Sequence, residues 1–181
     1  MLYILLANGF EEIEALATVD FLRRSGVDVR MASVTGTRMV TGAHAIPVMA
    51  DCLMRRAEIE QSDGVILPGG MPGAETLRTN AVVRRIVETL AAADKLVAAI
   101  CAAPMVLGDC GLLKGRRAVC YPGFEPWLKG AEVPEGEVVV EDGPFITSKG
   151  PGTALPFAEA IARRFVSAEQ VEAVKNGMLL G

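Results

Sequence analysis

Apolar residues in this chain come in short runs separated by helical stretches, and the alternation lays out the elements. Leu2 to Ala7 is an unbroken apolar run of strand length. Glu11 to Ser25 reads as a helix closed by Gly26, and Val27 to Ala32 as the next strand. Gly36 to Met49 predicts a hairpin or an irregular excursion. Gly64 to Leu67 is a strand, and Asn80 is placed to cap a helix running to about Ala93. Lys95 to Ile100 is a third unbroken run, ending at Cys101. Pro104 suits a first helical position, with helix continuing to Asp109 and ended by Gly111. Arg117 to Cys120 reads as a short strand. Val138 to Thr147 reads as two strands around an Glu141-Asp-Gly-Pro144 turn. Thr153 is placed to cap a helix to about Arg164, and Ala168 to Lys175 adds a last one. This alternation predicts an α/β fold over residues 1–181 as one domain: a doubly wound, mostly parallel sheet with helices on both faces.

The first helix lacks a polar stripe. At 100° per residue, Ile13, Ala15, Leu16, Ala17, Val19, Phe21 and Leu22 surround its axis, so it is covered on more than one side. The sheet supplies one cover. The other is either a second subunit or the Gly36–Met49 excursion of the same chain.

Composition narrows the class. Of 181 residues, 51% are apolar and 22% charged, a globular balance with a core that needs no staples. The net charge of -4 argues against nucleic acid as a partner. The longest apolar run, Leu96 to Gly108, falls short of the ~18 residues of a membrane span and contains a proline. Met1 to Ala7 lacks the basic start of a targeting segment. The four cysteines, Cys52, Cys101, Cys110 and Cys120, form no CxxC pair and have no histidine cluster, so neither a disulfide framework nor a metal site is expected. Reduced thiols in a cytoplasm fit this pattern.

Cys101 carries the strongest chemical signal. A side chain at a strand-to-helix turn sits at the mouth of the sheet, and the small Ala102 and Ala103 suit a crowded nucleophile elbow. A free thiol titrates near ~8.5, and a helix N-terminus contributes up to ~2 kcal/mol, which brings it only to about neutrality. A reactive sulfur needs one more favourable contact; without it the residue is an inert core cysteine. Val65 to Gly73 ends a strand in Pro68 and supplies three glycines. Their N–H groups could join that of Ala102 around a developing oxyanion. The segment lacks the spacing of a phosphate-binding loop, so nucleotide and flavin binding rank low. Glu14 lies among apolar neighbours. If it meets Cys101, the pair cannot carry two charges, and a protonated Glu14 would donate to a thiolate. Otherwise it is a solvated helix carboxylate. His44 has no evident route to the elbow.

Four stretches occur together and in order: Ala7-Asn-Gly-Phe-Glu-Glu-Ile-Glu14, Leu67-Pro-Gly-Gly-Met-Pro-Gly-Ala74, Ala98-Ala-Ile-Cys-Ala-Ala-Pro104 and Thr147-Ser-Lys-Gly-Pro-Gly-Thr153. In them the chain resembles the ThiJ/PfpI superfamily, in the branch of the Parkinson-disease-associated deglycase and its small bacterial relatives. The resemblance implies a flavodoxin-like sandwich, a homodimer and no cofactor. It makes Cys101 the nucleophilic, redox-sensitive cysteine and Glu14 its protonated partner. It makes Gly69, Gly70 and Ala102 a backbone anion pocket. It places Arg24 and His44 near the pocket and dimer seam, and makes Thr147–Thr153 a pocket-side turn. Many relatives carry a histidine where this chain has Tyr121. Tyrosine is a poor base at neutral pH, which counts against peptidase chemistry.

Two functions of different class follow. One is a cofactor-free thiol enzyme acting on α-oxoaldehydes (glyoxalase III-type) or on their early adducts (deglycase-type), with a small aldehyde or a glycated adduct as partner. The other is a redox-responsive stress protein or chaperone that senses oxidants through Cys101 without physiological turnover.

Overall fold

The computed structural model describes residues 1–180. In chain order the elements are β1 (Leu2–Leu6), α1 (Glu12–Arg24), β2 (Val29–Ser33), β3 (Met39–Thr41), β4 (Pro47–Met49), β5 (Cys52–Leu53), α2 (Arg56–Glu60) and β6 (Gly64–Leu67). They continue with α3 (Gly73–Thr79), α4 (Ala81–Ala92), β7 (Leu96–Ile100), α5 (Pro104–Asp109), β8 (Val139–Asp142), β9 (Phe145–Ser148), α6 (Ala154–Ala162) and α7 (Ala168–Gly177).

Seven strands form one sheet in the order β5-β2-β1-β6-β7-β9-β8. All neighbours are parallel except β8 and β9. The unbroken apolar runs are explained by burial on both faces. Leu2, Ile4 and Leu6 of β1 join Ile66, Ala98 and Ile100 in a core shared with α1 and α6. Tyr3 and Leu5 join Val65, Leu67, Val97 and Ala99 on the opposite face, under Val83, Ile86, Val87 and Leu90 of α4. The fold is thus the mostly parallel, helix-flanked sandwich expected from the alternation.

The chain winds outward from β1 to β2, then crosses back to β6 on the other side of β1. The connections after β1, β6 and β7 therefore converge at one end of the sheet, at a topological switch point where doubly wound folds place their ligands.

Several local expectations are corrected. Arg117 to Cys120 is not a strand; Arg117 makes only an isolated bridge to Glu132. The free edge of β7 is taken by β9, which leaves this apolar segment to run beside them, with Val119 N–H donating to Thr147 Oγ1 at 3.0 Å. Thr153 occupies the N-cap position of α6 without a capping hydrogen bond from its side chain. Its hydroxyl accepts from Gly150 N–H at 3.0 Å instead, tying the turn that precedes the helix. Helices α2 and α3 and the short β5 were not expected. Gly36–Met49 is a hairpin, β3 paired antiparallel with β4, and Asn80 does cap α4 through Val82 and Val83 N–H.

The second cover of α1 is α6, which neither alternative anticipated. The hairpin meets α1 near its start, where His44 grips Glu12, and adds Val40 and Val48 to the core that α1 shares. Ile13 stays 56% exposed. With Ala17 it lines a groove of about 330 Å³, completed by Pro151, Ala154, Leu155 and Leu180.

Candidate active site

The candidate site is built from three backbone turns. Strand β7 delivers Cys101 at φ +65°, a left-handed conformation that a non-glycine residue adopts only when its surroundings enforce it. Two hydrogen bonds do so. Cys101 N–H donates to Ser148 O at 2.9 Å, and Tyr121 N–H donates to Cys101 O at 2.8 Å. Both main-chain groups of the cysteine are thus pinned, by the last residue of β9 and by the turn after the Arg117–Cys120 segment. The residue is 9% exposed.

Glu14 comes from the first turn of α1 and is fully buried. Its Oε2 accepts from Gly69 N–H at 2.7 Å. A Cβ on Gly69 would lie 2.7 Å from that oxygen and 3.0 Å from the Cys101 sulfur. The Glu14 oxygen and the Cys101 sulfur therefore flank the same point, and only glycine leaves room for them. The neighbouring Gly70 has φ +83°, and a Cβ there would approach Glu11 N to 2.3 Å.

Burial and charge shape the proton affinities of the pair. Burial pushes the Glu14 carboxyl up to about 7, and Glu11 adds to this, while hydrogen bonds from Cys101 and Gly69 N–H pull it back. Burial, followed by the Glu14 charge and hydrogen bond, pushes the Cys101 thiol up to about 12, against a lowering by the N–H groups of Gly70 and Ala102. The helix behind the sulfur, α5, has only six residues. Its start does not overcome burial, contrary to the simple expectation of a thiol lowered by a helix end. The Glu14 contribution changes sign with its protonation. An ionised Glu14 opposes a thiolate, whereas a neutral one offers it an O–H donor.

The other expected residues divide. Gly70 and Ala102 point their N–H groups at the sulfur. Gly69 does not serve an anion pocket with its N–H, because that group is committed to Glu14. Tyr121 holds Cys101 through its main chain and keeps its ring 46% exposed beside Gly150. Arg24 is remote from the cysteine: it lies in the last turn of α1, ten residues beyond Glu14, and pairs with Asp20 at 2.8 Å. His44 does not reach Cys101 within this chain. Its Nδ1 meets Glu12 Oε2 at 2.8 Å and Glu11 Oε2 at 3.6 Å.

Glu11, Glu12 and His44 bring potential metal-ligand atoms within 4.8 Å of one another. Both Glu12 oxygens are already engaged by His44. Sequence reasoning missed Ser148, whose carbonyl anchors Cys101, and Thr18, a buried hydroxyl in α1. The Thr147–Thr153 motif flagged the neighbourhood of the first, and no motif flagged the second. Among the described residues, no helix is long and apolar enough to cross a membrane.

Similar proteins share this fold. Protein dj-1beta of Drosophila melanogaster is 34% identical over 178 residues, covering 98% of this chain and 95% of the relative. The crystal structure of Drosophila melanogaster DJ-1beta superposes with a TM-score of 0.93, at 34% identity, over 99% of this chain and 97% of that one. A structure of oxidized Toxoplasma gondii DJ-1 gives a TM-score of 0.88 at 36% identity, over 98% and 97%. A protein of Pyrococcus abyssi named a deglycase is 34% identical over 151 residues, covering 82% of this chain and 89% of the relative. Residues 1–164 match the DJ-1/PfpI family, and with a flavodoxin-like sandwich and relatives at this identity along its length, the chain belongs to that family.

Proposed function

We propose that this protein is a cofactor-free thiol enzyme that converts α-oxoaldehydes to 2-hydroxy acids or repairs their early adducts with amines and thiols. One observation carries the reading. A buried carboxyl with a proton affinity near neutrality lies against a cysteine sulfur at a strained elbow. Such a group takes and returns protons at physiological pH.

The sulfur of Cys101 adds to the aldehyde carbon of methylglyoxal while its proton passes to Glu14, giving a hemithioacetal. The N–H groups of Gly70 and Ala102 receive the oxygen charge that develops beside the sulfur. Glu14 passes the thiol proton on to that oxygen, completing the hemithioacetal. Ionised again, it takes the proton of the former aldehyde carbon and delivers it to the neighbouring carbonyl carbon by way of an enediol, while the hydroxyl proton moves from the first oxygen to the second. The first carbon is oxidised to a thioester and the second reduced to an alcohol, so no outside electron carrier is needed. Water cleaves the thioester, releasing lactate and the thiol. The name of the Pyrococcus abyssi relative supports the adduct-repair form of the same chemistry. Purified protein is expected to form lactate from methylglyoxal without glutathione. Full activity in Cys101→Ser would overturn the mechanism.

A redox role is the second reading, favoured by the donors around the sulfur and by the oxidized state named for the Toxoplasma gondii structure. Each of two peroxide molecules would transfer one oxygen to Cys101 and leave as water, giving a sulfinate held by the same groups. Mass spectrometry under mild peroxide tests it: preferential oxidation of Cys101 supports sensing, and equal modification of all four cysteines opposes it. A homodimer accompanies either role, seated on the exposed Ile13 and Ala17 groove.

A further inference from the structure

Among the described residues, two buried side-chain oxygens have no hydrogen-bond partner, Glu14 Oε1 and Thr18 Oγ1, and both belong to α1. Both residues are fully inaccessible. A buried polar atom without a partner carries its full desolvation penalty, so two on one helix require a reason. A helical threonine ordinarily turns its hydroxyl onto the carbonyl one turn back, and Thr18 does not. Positions i and i+4 lie one above the other, and side chains lean toward the helix start. That geometry carries the Thr18 hydroxyl toward Glu14. Glu14 Oε2 is occupied by Gly69 N–H and lies close to the cysteine sulfur. Oε1 is the oxygen left for Thr18.

We propose that Thr18 is a positioning residue for Glu14: its hydroxyl donates across one bridging water to Oε1 and keeps the acid proton on Oε2, the oxygen beside the Cys101 sulfur. The inference rests on the Glu14–Cys101 pairing above and adds what orients it. With Oε1 committed as an acceptor, a neutral Glu14 presents its O–H to the sulfur rather than away from it. A donor at Oε1 also favours the ionised carboxyl, so losing it moves the titration of the pair upward. The ionisable groups acting on Glu14 are Cys101, from the β7–α5 turn, and Glu11, just ahead of α1. Helix α6 contributes Ala154, Phe157, Ala158 and Ile161 to the core it shares with α1.

The test is the pH dependence of Cys101 alkylation by iodoacetamide, read by peptide mass spectrometry on the full chain, with thermal melting alongside. It needs no substrate, so it stands apart from the reaction proposed above. Thr18→Val keeps the shape of the side chain and removes the hydroxyl. Its profile is expected to move up by about one pH unit, while Thr18→Ser restores the wild-type curve. A purely packing role would change the melting temperature and leave the profile in place. If the valine variant does not fold, Thr18→Ala gives the same readout. A Thr18→Val profile superimposed on wild type, with Glu14→Gln shifted, overturns the Thr18 inference and leaves the pairing intact. Unshifted profiles in both variants overturn the pairing, and the inference with it.

Discussion

Gly69 N–H donates to Glu14 Oε2 at 2.7 Å, so this glycine fixes the acid rather than an incoming anion. Its missing side chain matters equally. A Cβ at this position would stand 2.6 Å from Cys101 Cβ as well as against both reactive atoms. Gly69→Ala is therefore expected to separate Glu14 from Cys101 and to lower lactate formation by at least tenfold, with the fold retained by circular dichroism. An alanine variant at wild-type rate would show that the two side chains need not meet.

Glu14 also makes stability depend on pH. Its folded-state affinity is raised from 4.5 to about 7, so the folded protein binds this proton more tightly than the unfolded chain. The stability it contributes is present below about 4.5 and is lost as pH rises toward 7, on the order of 3 kcal/mol in total. Glu14→Gln removes this dependence. Urea unfolding at pH 5 and pH 7.5 should show the variant gaining on wild type at the higher pH. An equal difference at both would contradict a buried acid of raised affinity.

His44 is the sole histidine, which makes it a clean probe of the hairpin. Its hydrogen bond to Glu12, with the nearby Glu11 charge, raises its affinity above the ordinary 6.5. Because the protonated form is the one held, this contribution is present at low pH and lost as pH rises through the raised value. NMR titration should place the ring above 6.5 and return it toward that value in Glu12→Gln. A titration at 6.5 in both proteins would mean that the hairpin is not latched to α1.

Ile13 reports on assembly. It is 56% exposed on a helix whose other apolar side chains are largely covered. Sedimentation is expected to give a dimer for wild type and a monomer for Ile13→Lys. A dimer in both would place the interface elsewhere.

How far the sequence speaks depends on the residue. Leu2–Leu6, Gly64–Leu67 and Leu96–Ile100 were legible because strands buried on both faces cannot hide their composition. Helix α3 was not, because Pro72 and Gly73 punctuate its start as they would a loop. Arg117–Cys120 has strand composition, but pairing is decided by which edge is free, and β9 holds the edge of β7. In the site, the elbow at Cys101 was readable from local chemistry. The meeting of Glu14 with Cys101 was legible only through the family resemblance, since one residue comes from the first helix and the other from the turn between β7 and α5. Arg24 shows the converse. It shares a helix with Glu14, yet three turns of rise carry it away from the sulfur in this chain. Thr18 left no mark, because a lone threonine in a helix resembles any other until its burial is seen.

The most direct test of the account is the pH profile of Cys101 alkylation in wild type and in Glu14→Gln. A shared proton predicts an inflection near 7 in wild type that vanishes in the glutamine variant. Identical profiles, with no inflection near neutrality in either protein, would show that the carboxyl and the sulfur titrate independently and would contradict the mechanism.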